Sequence, residues 1–267
     1  MLSRLAVLVF LASFGFSAMA DDGSDWFAKR TFTNSDGQSL HYRVHFPNVD
    51  PTTKEIPLVL FLHGAGERGY DNEAQLKHGV REFLREGRSE RFPAIIIAPQ
   101  CPREKRWVET DWDLKSGKET FSKKPSDSMK LVFQLVDEVR AQQRVDATRL
   151  YVTGLSMGGF GSWYAAATYR GTNGDGFAAV LPICGGGDPL WADRYAATDV
   201  WAIHGDADGV VPVARSREMV AAITRAGHPG ELRYTEYPGV RHDSWTRTYS
   251  TEETYRWLFN QSRPSLP

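Results

Sequence analysis

Residues 149–159 read RLYVTGLSMGG, an apolar run that passes directly into a glycine-rich segment and then into a helical pattern. A run such as RLYVTG is typical of a strand buried on both faces of a parallel sheet. The glycines two positions before and after Ser156 favour a sharp turn, because a Cβ at either place would obstruct neighbouring backbone. We therefore predict a strand, a tight turn that exposes Ser156, and a helix.

Comparable apolar runs recur along the chain, and each ends in glycine, proline or a polar loop. These strand-like runs cover 57–64, 94–100, 178–186, 200–205 and 232–239. Helical periodicities lie between them, at 73–86, 127–143, 158–170, 213–227 and 251–261. The alternation predicts a single α/β domain with a mainly parallel sheet. Alternating residues over 26–46 predict an opening antiparallel hairpin, and the polar stretch 102–125 predicts a long loop.

The first twenty residues have the pattern of a signal peptide. They contain one positive charge, at Arg4, then an apolar run over 5–16 and the small-residue sequence AMA before Asp21. The apolar run is shorter than the roughly 20 residues that a membrane-spanning helix requires. We therefore expect a signal peptide at 1–20, a secreted or periplasmic location, and no stable membrane insertion after cleavage.

The charge balance argues against one class of partner. The formal net charge of the chain is −1, and it becomes −2 without residues 1–20, because that segment holds one basic and no acidic residue. Since there is no long run of either sign, we do not expect nucleic acid as a partner. The sequence also has no H-E-x-x-H and no paired-cysteine spacing, so we expect neither a metal nor a cofactor.

A serine on such a turn becomes a nucleophile when a histidine base and a carboxylate lie beside it. Of the seven histidines, His228 and His242 follow both Ser156 and the candidate acids. His228 is expected in a surface context, so His242 is the candidate base and gives the order serine, acid, histidine. The acid is expected in HGDADGVVP at 204–212, where Asp206 and Asp208 are both candidates.

The sequence HGAGERG at 63–69 follows another predicted strand. Backbone amides there are suited to the negative oxygen that develops during acyl transfer, and we predict the amides of Ala65 and Met157 as the donors. We expect His63 to hold the loop through hydrogen bonds, and His78 to lie in a surface context. Glu67 either braces the loop with the arginine that follows it or faces a substrate, and bracing is preferred.

Five sequence blocks resemble the α/β-hydrolase superfamily, and within it the exported carboxylesterase and phospholipase-like group related to polyhydroxybutyrate depolymerases and feruloyl or acetylxylan esterases. The blocks are HGAGERGYDN, DATRLYVTGLSMGGFGSW, PICGGGD, HGDADGVVP and YPGVRHDSW. The resemblance implies the α/β-hydrolase fold: a mostly parallel, twisted eight-stranded sheet with helices on both faces, in one catalytic domain over 21–267. It also implies site residues: Ser156 as nucleophile, Asp208 as acid, His242 as base, and the amides of Ala65 and Met157 as oxyanion donors.

The same resemblance implies a serine carboxylesterase that works through an acyl-enzyme. No insertion resembles a lipase lid and no segment resembles a carbohydrate-binding module, which favours short-chain or side-chain acyl esters, including esters on glycans. Two alternatives stay open: a prolyl-oligopeptidase-like serine peptidase, and a catalytically inactive hydrolase-like binding protein. The first usually carries an added gating domain, and the second usually lacks one of the three catalytic residues.

Several aromatic residues near strand ends are candidates for lining an acyl or sugar pocket, although core packing explains any one of them equally well. These are Trp107, Trp112, Trp163, Trp191 and Trp245. In the implied fold, two strands separate the strand ends that carry Cys101 and Cys184. At about 4.8 Å per strand, this separation favours two free thiols over a disulfide.

Overall fold

The computed structural model describes residues 26–50, 52, 55–110, 120–171 and 174–264. The strands are β1 (Ala28–Thr33), β2 (Ser39–His45), β3 (Ile56–Leu62), β4 (Ile95–Pro99), β5 (Val145–Leu155), β6 (Ala179–Ile183), β7 (Asp199–Gly205) and β8 (Leu232–Tyr237). The α-helices are α1 (Arg88–Arg91), α2 (Asp127–Gln142), α3 (Met157–Thr168), α4 (Ala214–Arg225), α5 (Trp245–Ser250) and α6 (Glu252–Asn260). Within these ranges, the strands form one eight-stranded sheet in the order β1-β2-β4-β3-β5-β6-β7-β8.

The sheet is mostly parallel, as predicted. β1 and β2 form the antiparallel hairpin, and β2 pairs antiparallel with β4. The remaining neighbours, from β4 to β8 across the sheet, pair in parallel. Every residue of β3, β4 and β6 is buried, which explains why these strands are continuously apolar rather than alternating in polarity.

Helices cover both faces of the sheet. Leu58 and Leu60 of β3 belong to one buried cluster, together with side chains of α2, α3 and α4. Val59 and Phe61 of the same strand belong to a second cluster, together with side chains of α5 and α6. Successive residues of a strand point to opposite faces, so this division shows that the sheet lies between two layers of helices.

The predicted helix over 73–86 is wrong. The chain forms two short 3-10 segments there, Ala74–Leu76 and Val80–Leu84. Gly79 precedes the second segment with φ 74°, a left-handed conformation that interrupts a helix. A Cβ at this position would lie 2.3 Å from the ring of Tyr249, so α5 packs where a continuous helix would need a side chain.

Some expectations fall on residues 1–25 and 111–119, which lie outside the described residues. They include the signal peptide, part of the long predicted loop, and Trp112. In the part of the chain that is described, no helix combines the length and apolar character needed to cross a bilayer. Cys101 and Cys184 are free and buried, with β3 and β5 between the strands that precede them, so the prediction of two free thiols is confirmed.

Candidate active site

Ser156 lies in the turn between β5 and α3 with φ 54° and ψ −117°, a strained conformation for a residue with a side chain. The turn packs directly against the end of β3. A Cβ on Gly154 would lie 2.4 Å from the Leu62 carbonyl oxygen, and one on Gly158 would lie 1.9 Å from it. Only glycine fits these two positions, so the backbone of β3 fixes where Ser156 stands.

A continuous chain of hydrogen bonds joins the Ser156 hydroxyl, the His242 imidazole and the Asp208 carboxylate. His242 Nε2 lies 3.0 Å from Ser156 Oγ, and His242 Nδ1 lies 2.7 Å from Asp208 Oδ2. Because a carboxylate accepts at Nδ1, the neutral imidazole carries its proton there and presents the lone pair of Nε2 to the hydroxyl. The His242 side chain is 21% exposed and that of Asp208 is 0% exposed, so the acid is fully buried while the histidine reaches the surface of the site.

The surroundings of Asp208 keep its carboxyl group ionised. Burial alone would raise its pKa, but hydrogen bonds with His204 and His242 and with two backbone amides lower the pKa well below its usual value. The amides of Val210 and Val211 donate to Oδ1 at 2.8 and 3.0 Å, and His204 Nε2 lies 3.2 Å from Oδ2. A carboxylate that is charged at neutral pH can stabilise a protonated imidazole beside it.

Asp206, the other candidate acid, faces a different neighbour. Its Oδ1 accepts a hydrogen bond from the Gly239 amide at 2.6 Å. This contact joins the loops that follow β7 and β8, the bracing role that short acidic side chains often have in turns. The structure therefore brings Asp208, rather than Asp206, to His242.

The two predicted oxyanion donors each begin a helical segment. Ala65 is the first residue of a 3-10 segment, Ala65–Glu67, and Met157 is the first residue of α3. Amides at such positions have no acceptor within their own helix and can donate to a ligand. Both segments follow the carboxyl ends of adjacent strands, β3 and β5.

His63 holds the first of these segments from beneath. Its Nδ1 donates to the Gly64 carbonyl oxygen at 2.6 Å, and its Nε2 accepts from the Cys101 amide at 2.9 Å. Burial lowers the pKa of His63 to about 4, so the ring is neutral at physiological pH. These contacts agree with a structural role for His63.

A cavity of about 280 Å³ opens where Ser156 and His242 meet. Around them its lining consists of the backbone at 64–66, four apolar side chains and two ionisable side chains. The apolar ones are Leu155, Val210, Val211 and Trp245, and the ionisable ones are Glu67 and His78. Its volume is near the lower limit of ligand pockets, roughly 300 Å³, so the space suits a small substituent.

Residues 33–252 match the protein family described as "Putative esterase". The chain belongs to this esterase family. A solved thermostable esterase is 36% identical in sequence, with a TM-score of 0.79 over 89% of this chain and 64% of that chain. The predicted membership of the α/β-hydrolase esterases, and the fold that it implied, are confirmed.

Two relatives of this esterase match over shorter stretches. Poly(3-hydroxyalkanoate) depolymerase C of Paucimonas lemoignei is 30% identical over 146 residues, which is 53% of this chain and 30% of that protein. A bifunctional acetylxylan esterase/xylanase of Neocallimastix patriciarum is 27% identical over 177 residues, 66% of this chain and 22% of that protein. The matched part is therefore less than a third of either relative's length. A feruloyl esterase module from Clostridium thermocellum, complexed with sinapinate, shares the fold at 15% identity and a TM-score of 0.64 over 90% of both chains.

Among the described tryptophans that were expected near a pocket, Trp245 lines the cavity of this esterase. Trp107 is fully buried, and its Nε1 donates to the His63 carbonyl oxygen at 3.0 Å, so it supports the loop instead. Trp163 is also fully buried. Trp191 packs edge-on against Phe121 with ring centroids 5.5 Å apart and does not belong to the cavity lining.

One group of side chains has the composition of a metal site. A ligand atom from each of Cys184, Asp208 and His242 lies within 4.8 Å of the others. Burial raises the pKa of the Cys184 thiol, whereas metals bind the thiolate. Asp208 and His242 are already joined by a hydrogen bond, so the group fits proton transfer better than metal binding.

Sequence reasoning missed the positions of three side chains at this site. For Glu67, a bracing role was preferred over one facing a substrate, and His78 was expected on the surface, yet both line the cavity. His204 was assigned only to a strand end, and it contacts the Asp208 carboxylate. The repeated dipeptide His-Gly at the ends of β3 and β7 was a signal for His204, but no local pattern marks His78.

Proposed function

We propose that this esterase is a serine carboxylesterase in which Ser156 is the nucleophile, His242 the base and Asp208 the acid. The observation that carries this proposal is the hydrogen-bonded chain from Ser156 Oγ through the imidazole to the carboxylate, with distances of 3.0 and 2.7 Å. A serine hydroxyl is a weak nucleophile on its own and needs such a base to take its proton.

In the proposed reaction, Ser156 Oγ attacks the ester carbonyl carbon while its proton passes to Nε2 of His242. The imidazolium, stabilised by Asp208, then gives this proton to the alcohol oxygen as the carbon–oxygen bond breaks. The alcohol leaves and the acyl group stays on Ser156. Water next attacks the acyl-enzyme with the same two proton transfers, which releases the carboxylic acid and restores the serine.

The negative oxygen of each tetrahedral intermediate needs hydrogen-bond donors that are already in place. We assign this role to the amides of Ala65 and Met157, because each begins a helical segment beside the nucleophile. Loss of a single such donor typically slows catalysis by about 10²- to 10³-fold. Since both donors are backbone groups, their positions depend on the loop and turn rather than on side-chain chemistry.

The substrates that this site favours are esters with short or side-chain acyl groups, including acyl groups carried by glycans. The cavity of about 280 Å³, with Leu155, Val210 and Val211 in its lining, supports a small acyl group, and the names of the relatives support polyester or acetylated-glycan substrates. We also propose that residues 1–20 are a signal peptide, that 21–267 form the catalytic domain, and that the mature enzyme is secreted or periplasmic.

The test is hydrolysis of 4-nitrophenyl acetate, butyrate and octanoate by purified residues 21–267 and by Ser156→Ala. We expect the two shorter esters to be preferred. The substitution should lower kcat by about 10⁴- to 10⁶-fold, because the nucleophile is lost. A wild-type enzyme inactive on all three esters would favour the peptidase or the binding-protein alternative, and preference for octanoate would contradict the short-chain assignment.

A further inference from the structure

The cavity beside Ser156 has a polar wall that the proposed mechanism does not use. Apart from Ser156 and His242, Glu67 and His78 supply the polar side chains of its described lining. Glu67 Oε1 lies 3.6 Å from His78 Nε2, and the two side chains are 7% and 33% exposed. An almost buried carboxylate and a partly exposed imidazole therefore face the same small space.

Among the described residues, no group donates a hydrogen bond to the Glu67 carboxylate, which therefore has unused capacity to accept them. Its contact with His78 is longer than a hydrogen bond, and its Oε2 packs against Gly64, 2.9 Å from where a Cβ would stand. An ionised carboxylate offers about four acceptor sites, and this one lines the cavity, where a bound ligand can reach them. A ligand with hydroxyl groups would supply donors.

The polar wall of the cavity is joined to His242, the proposed base, through Trp245. The Trp245 ring lies edge-on to the His242 ring with centroids 5.2 Å apart, and His78 lies 5.8 Å from Trp245 on a second ring contact. His242 must give its proton to the departing alcohol oxygen, so the alcohol portion of the ester begins beside His242. Atoms further along the alcohol then reach Trp245, His78 and Glu67 in turn.

We propose that Glu67 and His78 determine specificity for the alcohol portion of the ester by hydrogen bonding to its additional hydroxyl groups, an inference that rests on the proposed esterase function. The carboxylate accepts from hydroxyl donors, the imidazole donates or accepts, and the indole of Trp245 packs on the carbon skeleton between them. The preferred substrates are esters of polyhydroxylated alcohols, such as glycerol or sugars. An ester of a simple alkyl alcohol leaves the carboxylate without its donors.

The experiment compares two substrates that differ only in hydroxyl groups. Glycerol 1-monobutyrate and propyl butyrate have the same acyl group and the same three-carbon alcohol skeleton. We expect the wild type to prefer the glycerol ester in kcat/KM, and Glu67→Gln to reduce that preference about tenfold, the size expected for a hydrogen bond to a charged group. The matched control is Glu104→Gln, which removes an exposed carboxylate bound to the Tyr70 hydroxyl at 2.6 Å and should leave the preference as it is.

A second variant covers the case in which the buried Glu67 substitution does not fold. His78→Leu acts at a more exposed position, and it should also reduce the preference for the glycerol ester. If both variants slow the two esters equally, the pair only braces the loop and the inference is overturned.

A further pair of substrates, butyrylcholine and 3,3-dimethylbutyl butyrate, tests whether the carboxylate recognises a cation instead. The inference fails if Glu67→Gln abolishes a preference for butyrylcholine but leaves the preference for the glycerol ester intact. A wild type that hydrolyses neither butyrate overturns the proposed function itself, whereas one that hydrolyses both equally overturns this inference alone.

Discussion

Two cavities lie at opposite ends of the central strands. The one with the larger volume lacks the candidate catalytic residues, and the one with the smaller volume contains them. The larger, about 510 Å³, is at the amino ends of β3 and β4, and residues such as Ile56, Pro93 and Arg256 line it. The smaller, about 280 Å³, is at the carboxyl ends of β3 and β5 and contains Ser156 and His242. Loops and helix starts converge at the carboxyl ends of parallel strands, so position in the sheet, rather than volume, indicates where the chemistry lies.

Two arginines that line the larger cavity form ion pairs with acidic side chains outside its lining. Arg149 Nε lies 2.6 Å from Asp146, and Arg91 lies 2.7 Å from Glu252. In the smaller cavity, by contrast, His242 contacts the hydroxyl of Ser156, a group that can react. The comparison predicts that substitutions in the smaller cavity will affect catalysis far more than substitutions in the larger one.

Beyond the loss of the nucleophile itself, the largest of these effects should come from the acid. Asp208→Asn should lower kcat on 4-nitrophenyl butyrate by about 10⁴-fold, because an amide can hold His242 in the wrong tautomer and cannot stabilise its protonated form. The matched control is Asp206→Asn, since Asp206 accepts only from the Gly239 amide among the described groups. Steady-state kinetics on both purified variants make the measurement, and a greater loss in Asp206→Asn would reassign the acid.

His63, which holds the loop at the smaller cavity, should make the stability of the enzyme depend on pH. Burial lowers the pKa of His63 from 6.5 to about 4, so between these values the unfolded chain takes up a proton that the folded one does not. The stabilising contribution is complete above pH 6.5 and is lost as the pH falls towards 4. Over this window the loss amounts to about 3 kcal/mol.

The measurement is urea unfolding at pH 7, 5.5 and 4.5 for the wild type and His63→Gln. Glutamine keeps a donor and an acceptor but does not titrate in this range, so the free energy of unfolding should fall less with pH in the variant. Equal slopes in the two proteins would show that His63 does not cause the dependence.

The smallest effect should come from the larger cavity. Arg256→Ala removes a side chain that is 71% exposed and 4.0 Å from Glu252, so kcat/KM on 4-nitrophenyl butyrate should change less than about twofold and the free energy of unfolding by less than about 0.5 kcal/mol. Kinetics and urea unfolding of this variant measure both quantities. A tenfold loss of activity would mean that the cavity at the amino ends of β3 and β4 takes part in function, which would contradict the difference between the two cavities.

Local sequence rules predicted the parts of this molecule that local chemistry determines. The apolar runs located the central strands, and the glycines around Ser156 indicated the turn because only glycine tolerates such close backbone contact. The packing of distant segments was not predictable in the same way. Gly79 ends a helical pattern because Tyr249, far along the chain, occupies the space beside it.

The same limit applies at the candidate site. Trp107 and Trp245 stand in similar positions near strand ends, yet one is fully buried beneath a loop and the other lines the cavity. Asp206 and Asp208 are two residues apart, and only their hydrogen-bond partners distinguish them. In each pair the difference depends on which other segment folds over the strand end, and that information is spread along the chain.

The contact between the serine turn and the end of β3 divides the site into two parts that differ in how much change they tolerate. Gly158 is pressed against the Leu62 carbonyl oxygen, and the parallel register pairs Leu62 with Gly154, so the main chain holds the serine turn against the end of the strand that leads into the HGAG loop. The lining side chains at positions 78, 210 and 245 are not part of that contact. Libraries for directed evolution should therefore randomise those three positions and leave 154–159 unchanged, because new substrate ranges can then be selected without displacing the nucleophile.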